Sequence, residues 1–178
     1  MSRYRSPSPQ ERTVLRRAFS KWGVFEFLEN KIFLVRVGNE RRKQIFLVAT
    51  EVLTKINSPL YTGLFIGELG KQFVPSLEMA QIIAREGIKF PFIKVSPKGE
   101  SLVVYGRDVF GDSIVEYNTR KENELVIILN TRSEAIGIGR TRYHPDYLST
   151  IGAVTVTTLA DVGQYIRNEC APNGWALV

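Results

Sequence analysis

The sequence predicts an α+β protein of two small domains, an N-terminal α/β domain followed by a mixed β-barrel. Three observations carry this expectation. The 178 residues suffice for one domain or two small ones. Apolar residues make up 44%, enough to build a packed core. The character of the chain also changes near Pro91. Helical patterns mix with longer apolar runs before it, and short β segments with one or two small helices follow it, as in a small barrel.

Residues 1–10 read as a flexible arm, because two prolines and three serines among arginines make a poor packed element. From Glu11 the pattern turns helical: Val14, Leu15, Ala18, Phe19 and Trp22 recur at the spacing of one helix face, with Arg12, Arg16 and Arg17 charged. "VFEFLE", "KIFLVRVG" and "QIFLVAT" read as strands, with a hairpin turn at Gly38-Asn39. "TEVLTKINS" reads as a short helix, and "PLYTGLFIGELGKQFVP" as strand and turn. "SLEMAQIIAREG" is a helix capped by Ser76 and closed by Gly87. These segments form an expected first domain over 11–91. In the expected second domain, 92–169, "FIKVSPKGESLVVYG" reads as two strands around the turn "SPKGE". "RDVFGDSIVEYN" fits either a short helix or a strand. "ELVIILN" and "EAIGIGRT" are near-continuous apolar strands, "GAVTVTTL" alternates, and "ADVGQYIRNEC" is a closing helix before a tail at 170–178.

Charge and composition narrow the function classes. The formal net charge of +6 favours an anionic partner, nucleic acid first. It is unevenly placed: residues 1–92 carry 15 Lys+Arg against 8 Asp+Glu (+7), and residues 93–178 carry 9 against 10 (−1). Any anion site in the second half must therefore come from local clustering. No apolar run reaches bilayer-crossing length, and the first residues lack a secretory pattern. A cytoplasmic protein without membrane contact is expected, nucleolar if the source is a eukaryote. The single cysteine, Cys170, fits a reducing compartment.

The stretch "AIGIGRTRYHP" contains the sharpest signals. Gly137 and Gly139 begin like a dinucleotide fingerprint, but the third glycine is absent and no helix follows. Glycines that let another backbone approach a strand are the favoured explanation. His144 is the only histidine; with Asp146 near it but no second histidine and one thiol, neither a common zinc set nor a catalytic triad is in view. No catalytic residue, metal site or cofactor is expected. Arg140 and Arg142, two apart on a strand end, leave the same face beside Tyr143. Charge next to an aromatic ring is the chemistry of single-stranded RNA sites, and a charge-guarded sheet edge is the equal alternative.

"FIKVSPKGESLVVYGRDV", "ELVIILNTRSEAIGIGR" and "TTLADVGQYIRNE" together resemble the PUA domain, the RNA-binding module of pseudouridine synthases and archaeosine transglycosylases. They look most like its version in the Nip-seven family of ribosome biogenesis factors. The matching residues are Tyr105, Gly106 and Val109, Gly137 to Gly139, and Ala160 to Glu169. "VGNERRKQIFLVATEVLTKI" and "LFIGELGKQFVPSLEMAQIIA" are similar to the family's N-terminal domain, so the resemblance covers roughly 11–169. It implies a non-enzymatic RNA-binding factor in large-subunit assembly and rRNA processing, with uridine-rich strands held by the PUA domain. Archaeal relatives are associated with the RNA exosome. The resemblance also implies a role for Arg167 in the RNA face. With Arg140 and Arg142, and with Lys94 and Arg107 flanking the start of the barrel, it makes up the expected RNA-binding set of a monomer. The alternative class is a scaffold that docks to the exosome or a pre-ribosomal protein, with "YTGLFIG" and the "GWALV" tail as docking segments. An enzyme ranks last, since the first half lacks a glycine-rich cofactor loop.

Overall fold

Residues 3–37, 42–49, 63–87 and 89–169 are described by the structure, a computed structural model. The expected turn at Gly38-Asn39, the expected helix in "TEVLTKINS" and the tail 170–178 lie outside the described residues. The chain divides into two units, Met1–Phe90 and Pro91–Val178.

The first unit is a five-stranded antiparallel sheet with helices. Its elements are β1 (Arg3–Arg5), α1 (Pro9–Lys21), α2 (Phe25–Leu28), β2 (Ile32–Val37), β3 (Lys43–Val48), β4 (Leu64–Leu69), β5 (Phe73–Pro75) and α3 (Leu77–Glu86). The strands lie in chain order, β1-β2-β3-β4-β5. Helix α1 buries Leu15 and Phe19; the Phe19 ring lies 5.4 Å from Phe33 and 5.8 Å, edge-on, from Phe73. Ser76 caps α3 by accepting the Met79 N–H, and Gly87 closes it, as the spacing predicts.

Three expectations are corrected here. Residues 3–10 of the expected arm are tied down: Arg3, Tyr4 and Arg5 pair with Val37, Arg36 and Val35. The Tyr4 ring stands edge-on to Phe46 at 5.5 Å. Ser8 caps α1 in a reciprocal capping box with Glu11. Ser8 and Pro9, among the residues that read as an arm, are a helix start. "VFEFLE" is a short helix rather than a strand, because Val24 and Leu28, four apart, are the residues it buries. In "YTGLFIG", Leu64–Gly67 belong to β4, hydrogen-bonded on both sides to β3 and β5, with Ile66 fully buried. Ile66 and Gly67 are therefore core rather than docking surface, while Leu64 stays exposed.

One cluster holds this start in place. The buried Glu11 carboxylate takes both terminal nitrogens of Arg5 at 2.7 Å each, Lys43 Nζ at 2.8 Å and the Ser8 N–H at 2.7 Å. It joins the helix to strands β1 and β3.

The second unit contains β6 (Phe92–Val95), α4 (Pro97–Val104), β7 (Val109–Phe110), β8 (Ile114–Asn118), β9 (Leu125–Leu129), β10 (Ala135–Thr141), β11 (Val154–Asp161) and α5 (Gln164–Glu169). Its sheet order is β7-β11-β10-β9-β6-β8, mixed because β6 runs parallel to β9. The two edge strands, β7 and β8, are joined by a 3₁₀ turn of three residues, Gly111–Ser113. Three residues span at most about 10 Å, so the sheet has to curl until its edges meet. The core inside includes Ile93, Val103, Val126, Ile128, Leu148 and Val156. Strand β10 can lie so close to it because Gly139 has no side chain. A Cβ there would come within 2.7 Å of Val156 Cγ1. "SPKGE" is the start of α4 rather than a turn: the Ser96 hydroxyl accepts the Gly99 N–H and Pro97 takes the first helical position. The residues that mark turns also mark helix starts.

Arg5, hydrogen-bonded to both oxygens, holds the Glu11 carboxyl far below its ordinary value of 4.5, against the opposing effect of burial, with Lys43 and the Ser8 N–H assisting. A carboxylate whose folded-state pKa is depressed contributes stability above its unfolded value. That contribution fades as pH falls below about 4.5 toward the lower folded value. Glu11→Gln is expected to cost about 2 kcal/mol at pH 7 and to narrow its gap to the wild type as pH falls below 4.5. Urea melts of both proteins across pH measure this; a gap that stays constant with pH refutes it.

Candidate nucleic-acid interface

The rim of the barrel at the end of β10 gathers cations from three chain segments. Arg140 opposes Thr157 of β11 in the sheet register, so their side chains share a face. Its Nη1 donates to the Asn123 carbonyl at 2.9 Å. Arg142 Nε donates to the Thr157 hydroxyl at 2.7 Å, which puts it on the same face, and its Nη2 reaches Asp108 Oδ2 at 2.8 Å. Asp108 is itself fixed, since its Oδ1 accepts the Thr158 N–H at 2.9 Å. The Thr158 hydroxyl donates to the Arg107 carbonyl at 3.0 Å, which ties the 105–108 turn to β11. The Arg107 side chain is exposed and, among the described residues, makes no hydrogen bond or ion pair.

Sequence patterning alone misses two residues of this band, Arg120 and Lys121. They sit in the loop between β8 and β9, exposed and without a carboxylate partner among the described residues. The loop is held firmly. Buried Glu124 accepts the Thr119 hydroxyl and the Arg120 N–H, each at 2.8 Å. Its own N–H donates to the Thr141 hydroxyl at 2.9 Å, and that hydroxyl donates to the Lys121 carbonyl at 3.2 Å. The Asn123 N–H bonds Thr141 O, which seats the loop on the end of β10 next to Arg140. The doublet in "TRKENE" is the available signal, diluted by the glutamates around it.

Arg107, Arg120, Lys121, Arg140 and Arg142 thus stand in one band against Asp108, Glu122 and Glu124. Of the three carboxylates, Asp108 is spent on Arg142 and Glu124 is buried holding the loop. Tyr105, 75% exposed, and Tyr143 add ring faces within the segments that carry Arg107 and Arg142. Fixed cations beside exposed rings can bind a strand of phosphates while its bases stack.

Two expected residues sit differently. Lys94 lies on β6 opposite Leu129 of β9, whereas Arg140 lies opposite Leu125. Four residues along a strand is about 13 Å, and Lys94 Nζ is paired with Glu116 at 2.6 Å. The barrel does not bring it to the band. Arg167 reaches the Tyr105–Arg107 turn, but it is tethered: Nη2 contacts both oxygens of buried Asp161 at 2.7 and 2.9 Å, and Nη1 donates to the Val104 carbonyl. Gly106, at φ +76°, leaves room for this guanidinium; a Cβ there would lie 3.1 Å from its Nη2. This geometry makes Arg167 the pin that holds α5 on the barrel. His144 Nδ1 lies 3.1 Å from Asp146 in an exposed loop. Among the described residues no group of three His, Cys, Asp or Glu is placed to hold a metal ion, and no helix is long and apolar enough to cross a membrane.

Comparison with known proteins gives concordant results for both units. A family model described as "NIP7/UPF0113, pre-PUA domain" matches residues 4–77, and one described as "UPF0113 PUA domain" matches residues 92–170. A UPF0113 protein of Archaeoglobus fulgidus is 34% identical over 171 residues, covering 93% of this chain and 95% of its own length. One from Aeropyrum pernix is 31% identical over 176 residues, 94% of each. Among solved structures, a conserved PUA domain protein from Thermoplasma acidophilum superposes with a TM-score of 0.68 at 13% identity, over 93% of this chain and 98% of that one. A hypothetical protein from Pyrococcus horikoshii gives 0.67 at 11% identity, over 89% and 94%. These two likenesses establish the fold.

If Arg167 is a pin, its removal loosens α5 and strands a buried carboxylate. Arg167→Ala is expected to cost about 2 kcal/mol and to speed amide exchange across 164–169, while Asp161→Asn with Arg167 intact costs less. Hydrogen exchange with mass-spectrometric readout decides it. Unchanged protection of α5 in Arg167→Ala removes the structural role.

Proposed function

The chain belongs to the NIP7/UPF0113 family, and from that premise we propose that it is a non-enzymatic RNA-binding factor that holds single-stranded, uridine-rich RNA on the rim of its PUA domain during large-subunit ribosome assembly and rRNA processing. The observation that carries the reading is the band itself. Arg107, Arg120, Lys121 and Arg140 are brought to one rim by three segments far apart in sequence, and none of the four pairs with a carboxylate among the described residues.

The binding is electrostatic first. Phosphates replace counterions along the four open cations, and Arg142, held by Asp108 and Thr157, spaces the strand between them. Bases stack on Tyr105 and Tyr143, which favours unpaired RNA, whose bases are free to splay. Arg167 acts through Gly106 by setting the turn that carries Tyr105 and Arg107. Docking to an exosome or pre-ribosomal protein is the accompanying reading. Leu159, 50% exposed at the bulge in β11, favours it as an apolar contact beside the band.

The test is filter binding of a uridine dodecamer across a salt titration. For Arg107→Ala/Arg120→Ala/Lys121→Ala/Arg140→Ala, the slope of log affinity against log salt is expected to flatten by roughly 0.7 for each phosphate no longer neutralised, about 2 to 3 in all. Lys94→Ala, away from the band, is expected to leave the slope unchanged. Wild-type affinity and slope in the fourfold variant would remove the band from the RNA site.

A further inference from the structure

The first unit contains a cleft that RNA binding on the barrel rim does not use. It has a volume of 620 Å³, within the ~300–1,000 Å³ of ligand sites, and is formed by residues 6–9, one face of α1, α2 and the start of β2. Its floor is apolar: Leu15, Phe19 and Leu28 are buried, and Phe33 half-buried. Its rim is cationic: Arg12, Arg16 and Lys31 are exposed, with Glu29 as the single acid among the lining residues. None of the three cations pairs with a carboxylate among the described residues. They are nevertheless held in place. Arg12 Nε donates to the Pro7 carbonyl at 3.1 Å, which leaves both terminal nitrogens open. The Arg16 guanidinium lies 5.7 Å over the Phe25 ring, and Lys31 Nζ 5.6 Å over that of Phe27.

We propose that this cleft binds an acidic peptide segment of a protein partner, with apolar side chains seated on the floor and Asp or Glu side chains on Arg12, Arg16 and Lys31. Charge complementarity selects an anionic occupant, and the floor selects a peptide over a nucleic acid. A nucleobase brings N–H and carbonyl edges that need partners, and an apolar floor leaves them unpaired at a cost of several kcal/mol. The one lining hydroxyl with an assigned bond, Thr13 Oγ1, already donates to the Pro9 carbonyl at 3.0 Å. Ring faces for stacking are also taken: Phe19 packs against Phe33 and Phe73, and Phe25 lies under Arg16. A leucine or phenylalanine side chain brings no polar atom to that floor. Neighbouring Glu11 of α1 is already engaged by Arg5 and Lys43.

Phage display of random peptides of about a dozen residues against the full chain tests this. Selected sequences are expected to carry two apolar residues flanked by Asp or Glu. Labelled synthetic copies are expected to lose about tenfold or more in anisotropy affinity against Arg12→Glu/Arg16→Glu, with Arg12→Gln/Arg16→Gln in between. The charge-reversed protein is expected to keep its melting temperature and its affinity for a uridine dodecamer. If it does not fold, Lys31→Glu serves as the second variant. An empty selection, peptides without acidic bias, or undiminished binding to the reversed rim overturns the proposal. So does a loss of dodecamer affinity in the same variant, which would assign the cleft to RNA.

Discussion

The curl of the six-stranded sheet is the constraint on which the second unit depends. Gly111–Ser113 allow no slack between the edge strands β7 and β8, so the sheet closes on itself with Val156 and Ile128 inside. Closure puts the 105–108 turn, which leads into β7, beside β11. There Asp108 and the Arg107 carbonyl capture Thr158. The band of cations is a consequence. Arg107 reaches the rim because the sheet closes, Arg140 because β10 runs next to β11, and Arg120 and Lys121 because Glu124 and Thr141 seat their loop on β10.

A unit with no net positive charge has this feature because of how its carboxylates are spent. Asp161 is buried under Arg167, Asp108 holds a backbone N–H and Arg142, Glu116 pairs with Lys94, and Glu134 binds Asn130 and Arg132. Asn130 is the chief cause that keeps the Glu134 carboxyl below its ordinary value. Each acid engaged in structure is one fewer available to offset an open cation. What an approaching phosphate meets is set by the residues left over. Net charge is a weak guide to anion binding in a small domain for this reason.

The sequence revealed strands and helices where the apolar pattern was unambiguous: α1 follows from helical spacing, α3 from its pattern and its caps, and β9 and β10 from near-continuous apolar runs. It misled where residues have two uses. The Ser-Pro pairs at 8–9 and 96–97 begin helices but read as an arm and as a turn, because the same side chains serve caps and loops. For the site, Arg140 and Arg142 were legible as neighbours on one strand face. Arg107 and Lys94 joined them as residues flanking the start of the barrel, and the register sets Lys94 toward the other end of β9. Arg120 and Lys121 left only a diluted doublet in the sequence, because their relation to Arg140 passes through Thr141 and Glu124, across a strand and a loop. Local pattern carries no term for such bridges.

The two units present cations on different grounds. In the second, the open guanidinium and ammonium groups stand on a polar strand rim among threonines and tyrosines, where a hydrated phosphate chain loses little water on contact. In the first, Arg12 and Arg16 stand over Leu15, Phe19 and Leu28, so an anion there must bring apolar surface to gain from the floor. At ~25 cal/mol per Å² of apolar surface removed from water, one leucine-sized side chain outweighs an exposed ion pair. In the proposed peptide cleft the apolar floor would therefore set affinity and the charges selectivity, whereas in the proposed RNA site on the barrel rim the charges would supply affinity and the rings would favour unpaired strands. On these two proposals, one basic chain would separate two classes of acidic partner by the surface under its cations.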